Sequence, residues 1–443
     1  MVEQLLPRLE QAPRFSHYGR VTRVVGLVIE AVGLDVAMGE LCQIRSLDNE
    51  SSVLAEVVGF HERGILLMPL EELDGVHPGS AVRHMGRSSG VEVGPGLLGR
   101  ILDGLGQPMD GKGDMGPKVR VPLSADPPNP LSRRPIAEPL VTGIRAMDGM
   151  LTIGRGQRMG IFAGSGVGKS TLLGMIARQA SADVNVIALL GERGREVKDF
   201  VERSLGPEGL SRSVLVVATG DQSALIRARG AMVATAIADY FRDQGKEVLL
   251  MVDSSTRVAM AWREIGLAVG EPPTTRGYPP SVFAALPRLL ERAGNSDCGG
   301  ITGIYTVLVE GDDFNEPVAD HARAVLDGHV VLTRNLASAG HFPAIDILNS
   351  ASRVRNEIIT PQHLAAANEF QSLMAAYREK EDLISVGAYQ SGSHPVTDRA
   401  VVLREPMLRF LQQGPEEYSG FQESRDAMLQ IVQGGLGEKG EAA

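Results

Sequence analysis

The sequence predicts an α/β fold with a mostly parallel sheet, preceded by a small β-barrel and followed by a helical region. Three observations carry this prediction. Apolar strand-like runs alternate with helical patterns from about Ile144 to Thr333, the signature of a parallel sheet covered on both faces. Short segments rich in β-branched residues, separated by Gly and Asn/Asp turns, fill Arg20 to Gly94, as in a small barrel. Beyond Thr360-Pro361, apolar residues recur at helical spacing. The predicted divisions are residues 1–94 for an arm and barrel, 95–360 for the α/β domain, and 361–443 for a helical domain and tail.

Taken in order, Met1 to Phe15 carries a small amphipathic pattern, Val2, Leu5, Leu6 and Leu9, broken by Pro7 and Pro13. It reads either as a frayed tail or as a docking arm for a partner. The barrel strands are predicted at Val21–Ile29, Glu40–Ile44, Val53–Val58 and Ile65–Met68. Gly94 to Gly113 is glycine-dense and reads as a domain boundary, followed by the proline-rich Asp126-Pro-Pro-Asn-Pro. The α/β strands are predicted at Val184–Leu190, Val214–Ala218, Val248–Val252, Ile301–Val309 and Val330–Thr333. Helices are predicted at Ser223–Arg242, Val258–Leu267 and Ser281–Arg292. Thr360 suits an N-cap and Pro361 the first helical turn. Ala400–Leu411 and Phe421–Val432 read as further helices, and GGLGEKGEAA as a disordered end.

Composition bounds the function classes. A chain of 443 residues can hold two or three domains with a sizeable core. At 43% hydrophobic and 22% charged residues it is ordinary for a soluble protein. The net charge of −10 argues against a motor held to nucleic acid by a basic surface. Cys42 and Cys298 are the only cysteines, too few for a disulfide scaffold or a zinc site, which suggests a reducing cytosol. No apolar h-region at the N-terminus predicts a secretion signal. No apolar run approaches the ~20 residues of a spanning helix, so membrane contact is expected only through a partner or a surface helix.

The chemistry centres on Gly160 to Thr171, GIFAGSGVGKST. An apolar strand runs into a glycine-rich turn that opens into a helix, the pattern of an NTPase phosphate-binding loop. Gly164, Gly166 and Gly168, with Ser165, Val167 and Thr171, form the cradle in which backbone N–H groups meet phosphate oxygens. The helix N-terminus adds partial positive charge. Lys169 is placed to reach the β- and γ-phosphates, and the Ser170 hydroxyl to coordinate Mg²⁺. The strict pattern has glycine where this chain has Ala163; a small residue fits there. The buried run Val248–Val252 delivers Asp253, a second candidate for holding Mg²⁺. Ser254 follows it, so no adjacent glutamate serves as base. Glu192, just beyond the strand Asn185–Leu190, is the candidate; the other reading pairs it with Arg193 or Arg195. Arg353 in Asn349-Ser-Ala-Ser-Arg-Val is the candidate arginine finger, on its own one arginine among many.

The motifs GERGREVKDFVERSLGPEGL, YFRDQGKEVLLMVDS, GEPPTTRGYPPSVFAALPRLLERAG, VLVEGDDFNEP and HFPAIDILNSASRV closely resemble the rotary-type ATPase family. Within it they resemble the bacterial type III export ATPases, most of all the flagellar branch, from about Gly19 to Gly414. The resemblance implies an N-terminal β-barrel, a RecA-like P-loop core and a C-terminal helical domain assembled as a homohexamer. It implies ATP and Mg²⁺, with Glu192 as catalytic base, Arg353 as a finger acting in trans, Phe342 stacking on adenine, and Arg193 in the active-site motif with a less defined role. Trp262 stands where glutamine is frequent and is given no role. One chain carries loop, base and finger, so a single chain type can build every interfacial site. The implied partners are a peripheral regulator at the N-terminal arm, a central coiled-coil stalk, the export gate, and export substrates or chaperones; no nucleic acid is implied. The implied location is the cytoplasm, peripherally at the inner membrane.

Three other readings compete. The first is the equivalent ATPase of a virulence-type injectisome, which shares the catalytic motifs. The second is a non-catalytic nucleotide-binding ring subunit, which would lack the base glutamate. The third is a hexameric RNA helicase, disfavoured by the acidic balance and the 4% aromatic content.

Overall fold

The computed structural model describes residues 18–45, 52–61, 64–86, 89–309, 313–314 and 316–434. The predicted arm over Met1–Phe15 lies outside these residues, as does the predicted tail beyond Gly434. The chain forms two compact units. One is built on the residues up to Gly90 with Ser223–Ile226 and Ala261–Pro279; the other holds Val91–Gln222, Arg227–Met260 and Pro280 onward.

In the first unit six antiparallel strands close a barrel. Their order is Tyr18–Val25, Val28–Val32, Gly64–Pro69, Ser52–His61, Leu41–Arg45 and Ala81–His84, the last pairing back to the first. Alternate residues point inward, so Val21, Ile29, Ala31, Ile44, Val57, Leu67 and Val82 share one buried core. Cys42 is inside it, and burial pushes its thiol up to about 11. The stretch Val21–Ile29, predicted as one strand, is a hairpin instead. Gly26 turns the chain at φ +57°, and Val25 pairs with Val28. Ala81–His84 closes the barrel and is too short to have shown a period.

In the second unit a nine-stranded sheet forms the core. Seven strands run parallel in the order Gly328–Leu332, Arg158–Ala163, Gly300–Leu308, Glu247–Asp253, Val184–Leu190, Ser213–Ala218 and Ile101–Asp103. The two-residue strands Ala351–Ser352 and Gly294–Asn295 add antiparallel pairs. Val184–Leu190 and Ser213–Ala218 are buried at every position, as expected of strands covered on both faces. The glycine-dense Gly94–Gly113, predicted as a boundary, follows the change of unit between Gly90 and Val91 and also supplies the edge strand Ile101–Asp103. Arg100 and Asp110, nearly buried, pair at 2.8 Å beside it, and Asp110 also accepts from the Ile101 N–H at 3.0 Å.

Three longer helices follow, Pro361–Ser385, Pro395–Leu411 and Phe421–Gly434. The Thr360 side chain caps the first by accepting from the His363 N–H. These helices pack on the segment Ala146–Met150, which ends the approach to the sheet. The Phe410 ring stands 2.9 Å from where a Cβ on Gly149 would be, and His363 Nε2 donates to the Gly149 carbonyl at 2.8 Å. A side chain at Gly149 would force the Phe410 ring to shift.

A buried carboxylate shapes this segment. Asp148 accepts from the Thr142 N–H at 2.9 Å, the Thr142 hydroxyl at 2.7 Å and the Gly143 N–H at 2.9 Å. Burial nevertheless pushes it up from 3.8 to about 7, outweighing those bonds. The folded state therefore keeps a proton that the unfolded chain has released. The stabilisation is fully present below pH 3.8 and is lost as pH rises through about 7. The stability of the parent relative to Asp148→Asn should fall across this window, with a slope of up to about 1.4 kcal/mol per pH unit. Chemical denaturation of both proteins at a series of pH values measures it; a flat difference would place the Asp148 proton elsewhere.

Candidate functional site

The site forms where three neighbouring strands end. Arg158–Ala163 delivers the loop Gly164–Gly168, and the helix Lys169–Gln179 follows at once. Gly166 and Gly168 take φ of +79° and +88°, conformations that side chains rarely adopt. Gly168 is the N-cap residue and offers no side chain to the first helical N–H groups, which leaves them free for an anion. Ser165, Gly166, Ser170 and Thr171 are exposed, whereas Gly164 and Val167 are buried. Ala163, the departure from the strict loop pattern, is 1% exposed and its methyl belongs to the main core cluster, so the substitution is absorbed by packing.

Strand register brings the two acidic candidates to the same end of the sheet. Leu189 pairs with Asp253, so Glu192, three residues further, emerges beside that carboxylate. Lys169 Nζ lies 3.3 Å from Glu192 Oε1 and is also paired with Asp253 Oδ1. Burial opposes the lysine charge, but the charges of Asp253 and Glu192 outweigh it and raise its pKa above the ordinary value. Glu192 therefore pairs with Lys169, whereas Arg195 pairs with Asp199 at 3.5 Å. Arg193 is exposed at the start of the helix Gly194–Asp199.

Two residues that motif reasoning passed over belong here. Thr306 donates to Asp253 Oδ1 at 2.7 Å and so orients that carboxylate; Val252 pairs with Tyr305, which brings the next residue level with Asp253. Arg257 lies one helical turn after Asp253. Its side chain covers Gly191, where a Cβ would come within 2.9 Å of Arg257 Cγ, and its Nε is buried without a hydrogen bond. Gly191 itself has φ +75°. The four-residue step from Asp253 was the only sequence signal for Arg257. Among the described residues no three His, Cys, Asp or Glu side chains converge as metal ligands. The hard oxygens of Ser170 and Asp253 suit a small cation that arrives on substrate phosphates.

The remaining two candidates fall in different places. The Phe342 ring lies against the loop, 3.4 Å from the position of a Cβ on Gly168, and is 46% exposed. Its carbonyl accepts from the Gln413 N–H at 2.9 Å. Arg353 is exposed and far from the loop of its own chain. Its strand Ala351–Ser352 pairs with His329 and Gly328, at the start of the strand whose other end, Leu332, pairs with Ala163. Four residues of strand separate the two ends, about 13 Å.

Comparison with known proteins fits this layout. Residues 143–352 match the family described as "ATP synthase alpha/beta family, nucleotide-binding domain". Residues 21–86 match its "beta-barrel domain", and 359–430 match the "T3SS EscN ATPase C-terminal domain". The "Flagellum-specific ATP synthase" of Bacillus subtilis is 54% identical, covering 97% of this chain and 98% of the relative. The "Type 3 secretion system ATPase" of Xanthomonas euvesicatoria is 50% identical, covering 94% of each. The solved structure of the assembled ATPase EscN in complex with its central stalk EscO, from enteropathogenic E. coli, superposes with a TM-score of 0.87 at 46% identity, covering 94% of this chain and all of that one. Barrel, phosphate-loop core and helical end thus correspond over nearly the whole length, and the chain belongs to the ATP synthase alpha/beta family, among the ATPases of type III secretion and flagellar export.

Proposed function

We propose that this chain hydrolyses ATP as a homohexamer and so energises the release of chaperones and the unfolding and export of flagellar subunits. The observation that carries the reading is the meeting of Lys169, Glu192 and Asp253 at one phosphate loop while Arg353 stands at the opposite end of the same sheet. The loop N–H groups and Lys169 bind the triphosphate, and Phe342 stacks on the base. Ser170 and Asp253 would hold Mg²⁺, which would supply positive charge to the substrate phosphates. When phosphate takes over Lys169, Glu192 is released to orient and deprotonate the attacking water. Arg193 adds a cation at the exposed rim. Arg353 of the neighbouring copy stabilises the charge on the leaving phosphoryl group, a contribution of about 10³–10⁵ in rate where such fingers are known.

The assembled state and the stalk of the EscN structure support a ring with a central coiled-coil stalk for this chain. A peripheral regulator, the export gate, and export substrates or chaperones complete the set of partners. No helix among the described residues is long and apolar enough to cross a membrane. Peripheral attachment at the cytoplasmic face of the inner membrane belongs to the same proposal. The flagellar assignment follows the flagellar relatives; the injectisome alternative has relatives of similar identity. Restoration of motility in a bacterium lacking its flagellum-specific ATPase distinguishes the two.

Lys169→Ala should weaken ATP binding and lower turnover by about 10²–10³, whereas Glu192→Gln should keep ATP binding and lose turnover by about 10²–10⁴. Steady-state hydrolysis and equilibrium nucleotide binding on both variants separate the two roles; full turnover in Glu192→Gln would move the base to another residue. Because the finger acts on a neighbour, inactive Glu192→Gln and Arg353→Ala subunits should regain activity when mixed. Mixing at several ratios and assaying hydrolysis measures this, and recovery at none of them counts against action in trans.

A further inference from the structure

The strand that presents Arg353 has two residues. Ala351 and Ser352 pair with His329 and Gly328 at the edge of the sheet and, among the described residues, have no strand on their other side. So short an edge strand makes too few ladder bonds to set the direction of the residue that follows it. A buried amide sits at this junction. Gln157 is fully buried. Its Nε2 donates to the Asp327 carbonyl at 3.0 Å and to Ser352 Oγ at 3.1 Å. Its Oε1 accepts from the Gly154 N–H at 2.8 Å. Ser352 Oγ in turn donates to the Thr152 carbonyl at 2.8 Å. The Asp327 carbonyl that receives Gln157 also receives the Arg353 N–H, at 2.9 Å. Gln157 therefore holds the base of the finger by two routes, through the preceding residue and through the carbonyl that anchors Arg353 itself.

Asp327 is fixed independently. Its carboxylate accepts from the Arg158 N–H at 3.0 Å, from Arg158 Nε at 3.0 Å and from its terminal nitrogen at 3.1 Å. The Arg353 side chain, by contrast, is exposed and makes one bond, to the Arg323 carbonyl at 3.3 Å. The base of the finger is rigid and its tip is available.

Gln157 immediately precedes the strand that leads to the phosphate loop, so on position alone it could serve the site of its own chain. Its side-chain bonds point the other way. Both donor bonds go to the finger's anchorage, the shorter acceptor bond closes its own turn, the longer one comes from Ser352 Oγ, and none reaches the loop. We propose that Gln157 is a positioning residue for Arg353, which sets the direction in which the finger leaves the sheet and thereby acts on the site of the neighbouring copy. This rests on the reading of Arg353 as a finger in trans.

Mixing experiments read the direction of action. Gln157→Leu removes both donor bonds and the acceptor bond from the Gly154 N–H at similar volume, and Ser352→Ala removes only the Ser352 bonds to Gln157 and to the Thr152 carbonyl, with less disturbance of the buried turn. Each variant should keep its affinity for ATP and lose kcat, by about 10²-fold for Gln157→Leu, the cost of a misplacement of about 1 Å. Each should regain activity when mixed with Glu192→Gln, whose finger is intact, and regain none with Arg353→Ala, whose finger is missing. Recovery with Arg353→Ala but not with Glu192→Gln would place Gln157 in the site of its own chain and overturn the proposal. Unchanged kcat, or recovery with neither partner for both variants, overturns it as well. Glu192→Gln mixed with Arg353→Ala is the control: failure there removes the finger reading itself, a result distinct from failure of the Gln157 mixtures alone.

Discussion

A lysine ammonium with 12% of its side chain exposed needs countercharge close by. Lys169 finds two carboxylates, Glu192 and Asp253. Much of the second unit serves to hold these three groups together. The parallel sheet ends its strands on one level, and the register of Leu189 against Asp253 brings both acids there. Thr306 holds Asp253 from the next strand. The glycine turn at Gly166 and Gly168 allows the helix to begin with Lys169 aimed inward and its N–H groups open. The ion cluster is thus arranged for exchange, since a triphosphate can replace the carboxylates around the lysine and free them for other work.

On the proposed function, the same sheet keeps the loop and the finger of one copy apart. Its C-terminal strand ends gather the loop, both acids and, through the Gln413 contact, the Phe342 ring. Its other end carries Arg353, about 13 Å away along the strand. A hydrogen-bonded sheet cannot fold one end of its strands onto the other, so under the proposed function loop and finger would meet between copies. A repeated subunit with complementary edges closes into a ring when its rotation permits. Gln157 and Arg158 lie where the two ends are joined, because the turn that starts the loop strand also anchors the strand of the finger.

How much of this was legible in the sequence follows from the physics of each element. Val184–Leu190 and Glu247–Asp253 were readable because strands buried on both faces must be apolar almost throughout. The Thr360 cap and Pro361 announced their helix correctly. The edge strand Ile101–Asp103 was hidden because three residues among glycines show no period, and its pairing is long-range. The hairpin in Val21–Ile29 was missed because β-branched residues continue on both sides of Gly26. In the site, the loop was local and therefore plain. The pairing of Glu192 with Lys169 was not, since it depends on strand register across 23 residues of chain. Spacing alone left Glu192 between Lys169's site and its neighbouring arginines; the fold places it at Lys169. Thr306 and Arg257 have no motif of their own and are found only through the strands and helix that carry them.

Active sites completed between copies of one chain would make hydrolysis depend on assembly. The most direct test is the specific ATPase activity of the full-length protein as a function of its concentration, with the assembly state followed by light scattering. Activity per chain should rise with concentration and level off as the ring forms. Constant activity per chain, down to concentrations where only monomers scatter, would contradict it and place every catalytic group within a single copy.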